Sequence, residues 1–110
     1  MKVSGQIEFS IVEQSAERVV GEMPVQAGIL NPSGIAHAGA MLGFADVCAT
    51  VLTFGGTTMA PGQSGFPLAI NLNAARLGNQ KDGTFTATSV CVKRGKRLSV
   101  VRTTVAGEGG

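Results

Sequence analysis

One carboxylate, Asp46, lies inside a run that is otherwise almost wholly apolar, Ala40-Met41-Leu42-Gly43-Phe44-Ala45-Asp46-Val47-Cys48-Ala49-Thr50-Val51-Leu52-Thr53-Phe54. Dehydrating a lone charge is costly, so an acid in such a place points to a partner or a function that compensates. Gly39, Gly43, Asp46, Thr50 and Thr53 fall four, three, four and three residues apart, which places them on one stripe of a helix. Asp46 and Thr50 form an i, i+4 pair, and the spacing predicts a hydroxyl within reach of the carboxylate. The helix would begin near Ala38-Gly39, where the first backbone N–H groups lack intrahelical partners and the dipole is positive. Such donors can hold a developing oxyanion while an acid works on the same carbon. The chemistry that fits is acyl transfer to water.

The elements that must position these groups are legible as patterns. Residues 6–12 set Ile7, Phe9 and Ile11 against Glu8 and Ser10, the alternation of a strand. Residues 17–25 place Val19, Gly21, Met23 and Val25 on one face of a second strand. Pro24 marks it as an edge or a strand terminus. Gln14-Ser15-Ala16-Glu17 is the turn between them. A loop from Asn31 to Ala38 carries Pro, Ser and Gly as breakers. The run over 39–54 is too long for a strand and reads as a helix, stopped by Gly55-Gly56. After a second loop over 57–66, three more strands are expected over 67–77, 83–93 and 97–106. The last two join in a short hairpin at Arg94-Gly95-Lys96. The order β-β-α-β-β-β makes an α+β domain with a mostly antiparallel sheet. A helix apolar on nearly all sides is expected to be buried nearly all round, which requires the sheet to curl around it.

Bulk properties narrow the function classes. At 110 residues the chain is expected to form one domain over 1–110, globular at 44% apolar residues. A net charge of +2 is too weak to argue for nucleic acid. Two cysteines far apart and a single histidine argue against a metal site, and no cofactor is expected. The N-terminus lacks the apolar core of a signal peptide, and the longest apolar run is shorter than a membrane span and interrupted by Asp46. A soluble, reduced, cytoplasmic protein without membrane partners is the expectation. Cys48 and Cys91 read as small buried residues. Threonines such as Thr50 and Thr53 commonly bond a carbonyl one turn back, and Asn31 before Pro32 is an ordinary turn starter, so the motif around them is what singles them out.

That motif, Asn31-Pro32-x-Gly34-x-x-His37-Ala38-Gly39-x6-Asp46, resembles the signature of hot-dog-fold acyl-CoA thioesterases of the phenylacetyl- and hydroxybenzoyl-CoA type. The family pattern is Asn/Gln-x-x-Gly-x-x-His-Gly-Gly, with Asp or Glu seven residues after the second glycine. Weaker matches continue at Asn71-Leu72-Asn73-Ala74-Ala75-Arg76, with Leu77 where the family often has proline, and at Gly95-Lys96. The resemblance implies a curled antiparallel sheet around one long central helix, and hydrolysis of an acyl-CoA thioester to a free acid and coenzyme A. It implies Asp46 as base or nucleophile, the Ala38 N–H as the donor that polarises the carbonyl, Asn31 near the thioester or the water, and Thr50 orienting Asp46. His37 and Gly39 would shape the substrate loop, and Arg76, Arg94 and Lys96 would meet the coenzyme A phosphates. In this family the site lies between two subunits, so a homodimer or homotetramer is implied.

Two departures stand out. Ala38 replaces the family's first glycine, and alanine resists positive φ. The family's final strand is expected to be missing, since the chain closes on Val105-Ala106-Gly107-Glu108-Gly109-Gly110. The alternatives are a hot-dog hydratase or dehydratase using His37 with Asp46, a non-catalytic acyl-CoA-binding module, and a chain kept for assembly rather than chemistry. Loss of water without thiol release marks the first, and binding without turnover the second.

Overall fold

The computed structural model describes residues 6–53, 83–95 and 99–108. The strand expected over 67–77, the loop over 57–66, the helix stop at Gly55-Gly56, and Arg76 and Lys96 lie outside the described residues.

Strands β1 (Ser10–Gln14) and β2 (Arg18–Pro24) are followed by a single 3-10 turn (Ala27–Ile29), the helix α1 (Ala38–Thr53), and strands β3 (Thr84–Arg94) and β4 (Ser99–Ala106). The described sheet runs β1-β2-β3-β4, every neighbouring pair antiparallel. No strand follows β4 among the described residues. No described helix is long and apolar enough to cross a membrane.

The first strand starts later than its alternation predicts, and the reason is Pro24. In the β1–β2 register Ser10 faces Glu22, so Glu8 would face Pro24, which has no N–H to donate. The Gln26 carboxamide stands in for it. Its Nε2 donates to the Glu8 carbonyl at 2.7 Å and to the Pro24 carbonyl at 2.8 Å, and its Oε1 accepts the Glu8 N–H at 2.7 Å. Pro24 therefore ends β2, a strand with neighbours on both sides, rather than marking an edge. A bulge between Ile11 and Glu13 then turns Val12 outward.

The core lies between the sheet and one face of α1. Val19 and Met23 of β2 and Phe85 and Ala87 of β3 pack with Ala40, Phe44, Cys48, Val51 and Leu52 of the helix. Phe9 adds a tilted ring contact to Phe44, centroids 5.1 Å apart. Ser89 is fully buried in this layer, and its hydroxyl is satisfied by Thr103 Oγ1 at 2.7 Å. The described strands lie against one face of the helix, and the strand expected over 67–77 lies outside the described residues. On the side of α1 away from these four strands, Leu42 and Val47 are each 39% exposed.

Helix and sheet meet closely at Gly21. A Cβ built there would sit 2.6 Å from Cys48 Sγ and 2.9 Å from Phe44 Cε1. Gly21→Ala is expected to lower stability by about 1–3 kcal/mol through overpacking, read as an earlier urea midpoint with an unchanged m-value.

Candidate active site

The segment leading into α1 is a tightly bonded loop. Asn31 Oδ1 accepts the N–H groups of Ser33 at 2.9 Å and Ile35 at 3.3 Å, an Asx-type turn. The Asn31 N–H donates to the Ile35 carbonyl at 2.7 Å, and the Gly34 N–H donates to the Asn31 carbonyl at 2.9 Å. Gly34 takes the left-handed conformation, φ +79°, that this turn requires. A bridge between Leu30 and Ala36 closes the loop. The oxygen of the Asn31 carboxamide is thus committed to the turn, while its Nδ2 makes no hydrogen bond among the described residues.

His37 occupies the N-cap of α1. Its N–H donates to the Ile29 carbonyl at 2.7 Å, and its carbonyl accepts the Met41 N–H at 3.3 Å. Its Nδ1 lies 3.0 Å from the Ala40 N–H, and its Nε2 lies 3.2 Å from the Gly28 carbonyl. Of the four N–H groups that a helix start leaves without intrahelical partners, His37 accounts for its own and for that of Ala40. The N–H groups of Ala38 and Gly39 remain, with no acceptor among the described residues. They sit at the positive end of the helix dipole, a ready cradle for negative charge.

Alanine at 38 is accommodated without strain. No residue other than glycine has positive φ among the described residues, so the helix start does not need a glycine there. Gly39 also lacks positive φ. Its lack of a side chain serves space instead, since a Cβ there would lie 3.3 Å from His37 Nδ1.

Asp46 is half-buried, and by helical geometry it lies on the side of α1 opposite Ala40, Phe44, Cys48 and Leu52. The stripe through Gly39, Gly43, Asp46 and Thr50 therefore faces away from the four described strands. A Cβ on Gly43 would meet nothing within 4 Å. The Asp46 carboxylate has no hydrogen bond or ion pair among the described residues, and neither has the Thr50 hydroxyl. The expected Asp46–Thr50 hydrogen bond is thus not formed. Thr53 bonds back to the Thr50 carbonyl at 2.6 Å, the ordinary behaviour of a helical threonine.

Arg94 is placed at the other end of α1. Its Nη2 donates to the Ala16 carbonyl at 3.1 Å and to the Leu52 carbonyl at 3.4 Å, tying the β1–β2 turn to the helix C-terminus. Burial pushes the Cys48 thiol up to about 11, so it stays protonated and is no nucleophile. His37 and Asp46 do not pair: both ring nitrogens of His37 face backbone groups, and the two residues are more than two helical turns apart. Among the described residues no three His, Cys, Asp or Glu side chains gather as a metal-binding group.

The anchoring role of the Gly28 and Ile29 carbonyls had no signal in the sequence, because a main-chain acceptor carries no residue signature.

No family model matches the chain. A Bacillus subtilis (strain 168) protein named "Putative esterase ComA2" is 30% identical over 92 residues, 84% of this chain and 71% of that protein. Among solved structures, a substituted form of the thioesterase enzyme SAV0944 from Staphylococcus aureus subsp. aureus Mu50 is 28% identical, with a TM-score of 0.79 over 90% of this chain and 79% of the other. A substituted form of the phenylacetic acid degradation protein PaaI from Thermus thermophilus shares the fold, with a TM-score of 0.80 at 20% identity over 94% and 84% of the two chains. The helix laid on an antiparallel sheet is common to all of these structures and to this chain.

Proposed function

The chain belongs to the hot-dog-fold thioesterase superfamily, and from that membership we propose that it hydrolyses an acyl-CoA thioester to the free acid and coenzyme A. That it is a hydrolase rests on its thioesterase and esterase relatives. The observation that supports the finer reading is the presence on one helix of two N–H donors, at Ala38 and Gly39, and a half-buried carboxylate, Asp46, none of which has a partner among the described residues.

Asp46 takes a proton from water as its oxygen attacks the thioester carbon. The carbonyl oxygen becomes an oxyanion and is held by the Ala38 and Gly39 N–H groups. The carbon–sulfur bond then breaks, and the departing thiolate recovers the proton from Asp46. Asn31 Nδ2, left over from the turn, is available to hold the thioester oxygen or the attacking water. The Thr50 hydroxyl is available to orient Asp46.

Within one chain these groups do not address the same carbon. Ala38 and Asp46 are eight residues apart, about 12 Å along the helix axis at the rise of an α-helix, whereas both groups must lie about 3 Å from the reacting atoms. Two copies solve this. In an isologous pair the relation is mutual, so antiparallel helices crossing near Leu42 and Gly43 bring Ala38 of one chain to Asp46 of the partner subunit. The open surface at Gly43 and the exposed Leu42 and Val47 suit such an approach. Arg76, Lys96 and the guanidinium N–H groups of Arg94 not used on carbonyls are proposed to meet the coenzyme A phosphates.

The test is free-thiol release from a panel of acyl-CoA esters, with hydroxyacyl-CoA included. Saturable thiol release is expected. Binding without turnover would favour a binding module, and loss of water from the hydroxyacyl ester without thiol release would favour a hydratase.

A further inference from the structure

We propose that His37 is a positioning residue whose neutral ring, clamped between the Gly28 carbonyl and the Ala40 amide, aims the Ala38 and Gly39 donors without touching the substrate. The proposal rests on the reading of those two N–H groups as the oxyanion site.

The partners dictate the state of the ring. The Ala40 amide can only donate, so Nδ1, 3.0 Å away, carries no proton and accepts. The Gly28 carbonyl can only accept, so Nε2, 3.2 Å away, carries the proton and donates. Neither nitrogen is left for a substrate or for proton transfer. The ring also lies beside Gly39, where a Cβ would sit tightly against Nδ1 at 3.3 Å and in ordinary contact with Cε1 at 3.5 Å. One side chain thereby joins three features: the 3-10 turn at Ala27–Ile29, the first turn of α1, and the glycine that carries one of the two free donors. Its main chain adds a fourth tie, from the His37 N–H to the Ile29 carbonyl at 2.7 Å. Turning the helix start relative to the loop would require breaking these bonds together. With these bonds made, the Ala38 and Gly39 N–H groups are the ones of the first turn without an acceptor among the described residues.

A shorter cap separates positioning from folding. In His37→Asn, the new side-chain oxygen can still accept the Ala40 N–H, because asparagine is among the best N-caps, but it is too short to reach the Gly28 carbonyl. The helix is kept and the tie to the loop is lost. The experiment measures kcat and KM for an acyl-CoA ester in His37→Asn and records the imidazole 15N spectrum of the unaltered protein. His37 is the one histidine in the chain, so the signals need no assignment. The expected spectrum shows an unprotonated Nδ1 and a protonated Nε2, unchanged when a non-hydrolysable thioether analogue of the substrate is added. The expected kinetics are a kcat lowered about 10- to 100-fold by misplacement of the donors, with KM nearly unchanged.

A spectrum averaged over both tautomers, a shift of the ring signals on addition of the analogue, or an unchanged kcat in His37→Asn would overturn the proposal. Failure of the unaltered chain to release thiol would instead overturn the thioesterase reading. The ring spectrum is independent of turnover and tells the two failures apart.

Discussion

Asp46→Asn is expected to lower kcat for thioester hydrolysis by about 10²- to 10⁴-fold, the range of a lost general base. The fold is expected to survive the change. Asp46 lies on the side of α1 away from the core, is half-buried, and has no hydrogen bond or ion pair to lose among the described residues. Asparagine has the same shape and removes only the charge and the basicity. An acid that served structure would show the opposite pattern: substitution would move the melting temperature and leave turnover nearly intact. Thiol-release kinetics and a thermal melt on the same preparation read both quantities. Binding of a non-hydrolysable analogue is expected to persist in Asp46→Asn, because no contact assigned to substrate capture involves the carboxylate.

Ala38→Pro is expected to lower kcat by about 10²- to 10³-fold, the cost of removing one oxyanion donor. Proline has no N–H, and the first position of a helix is where it is best tolerated, since that N–H has no intrahelical partner. In this protein the Ala38 N–H has no acceptor among the described residues, so its removal breaks no bond of the resting structure. In the proposed mechanism the change deletes a donor that is used only when a substrate is present. Ala38→Gly is the control. It restores the glycine of the family pattern and keeps the N–H, and it is expected to turn over within a few-fold of the unaltered protein. A large loss in Ala38→Gly would place the effect in the backbone conformation rather than in the donor.

Much of this site is legible in the sequence because it depends on spacing along a single helix. Gly39, Gly43, Asp46 and Thr50 share a stripe by helical repeat alone, and the structure keeps them there. The side that this stripe faces is not set by local pattern. A run with so few polar residues predicts burial all round, and it does not say which face the four described strands take: they lie opposite the stripe. Strand boundaries depend on hydrogen-bond partners across the sheet. The alternation around Ile7 and Phe9 reads as strand, but the residue opposite Glu8 is Pro24, and the Gln26 side chain takes over the pairing. His37 illustrates the same limit. Its place in the motif singles it out, whereas its use of both ring nitrogens on the Gly28 carbonyl and the Ala40 amide follows from a loop closure with no sequence signature. Arg94 enters the sequence reading as a cation for the coenzyme A phosphates, and in the fold its guanidinium reaches two carbonyls, one of them at the far end of the helix.

In the proposed dimer one catalytic site takes its carboxylate and its oxyanion donors from different chains, and subunit mixing is the test. Asp46→Asn and Ala38→Pro proteins, each nearly inactive, are mixed in equal amounts under conditions that allow subunit exchange, with exchange verified by native mass spectrometry of differently tagged chains. Random pairing makes about half the dimers hybrids, and each hybrid has one site with both lesions and one with neither, so about a quarter of the unaltered activity is expected to return as thiol release. A mixture that exchanges fully yet stays as inactive as its components would show that Asp46 and the helix N-terminus do not combine across chains, and would overturn the shared site.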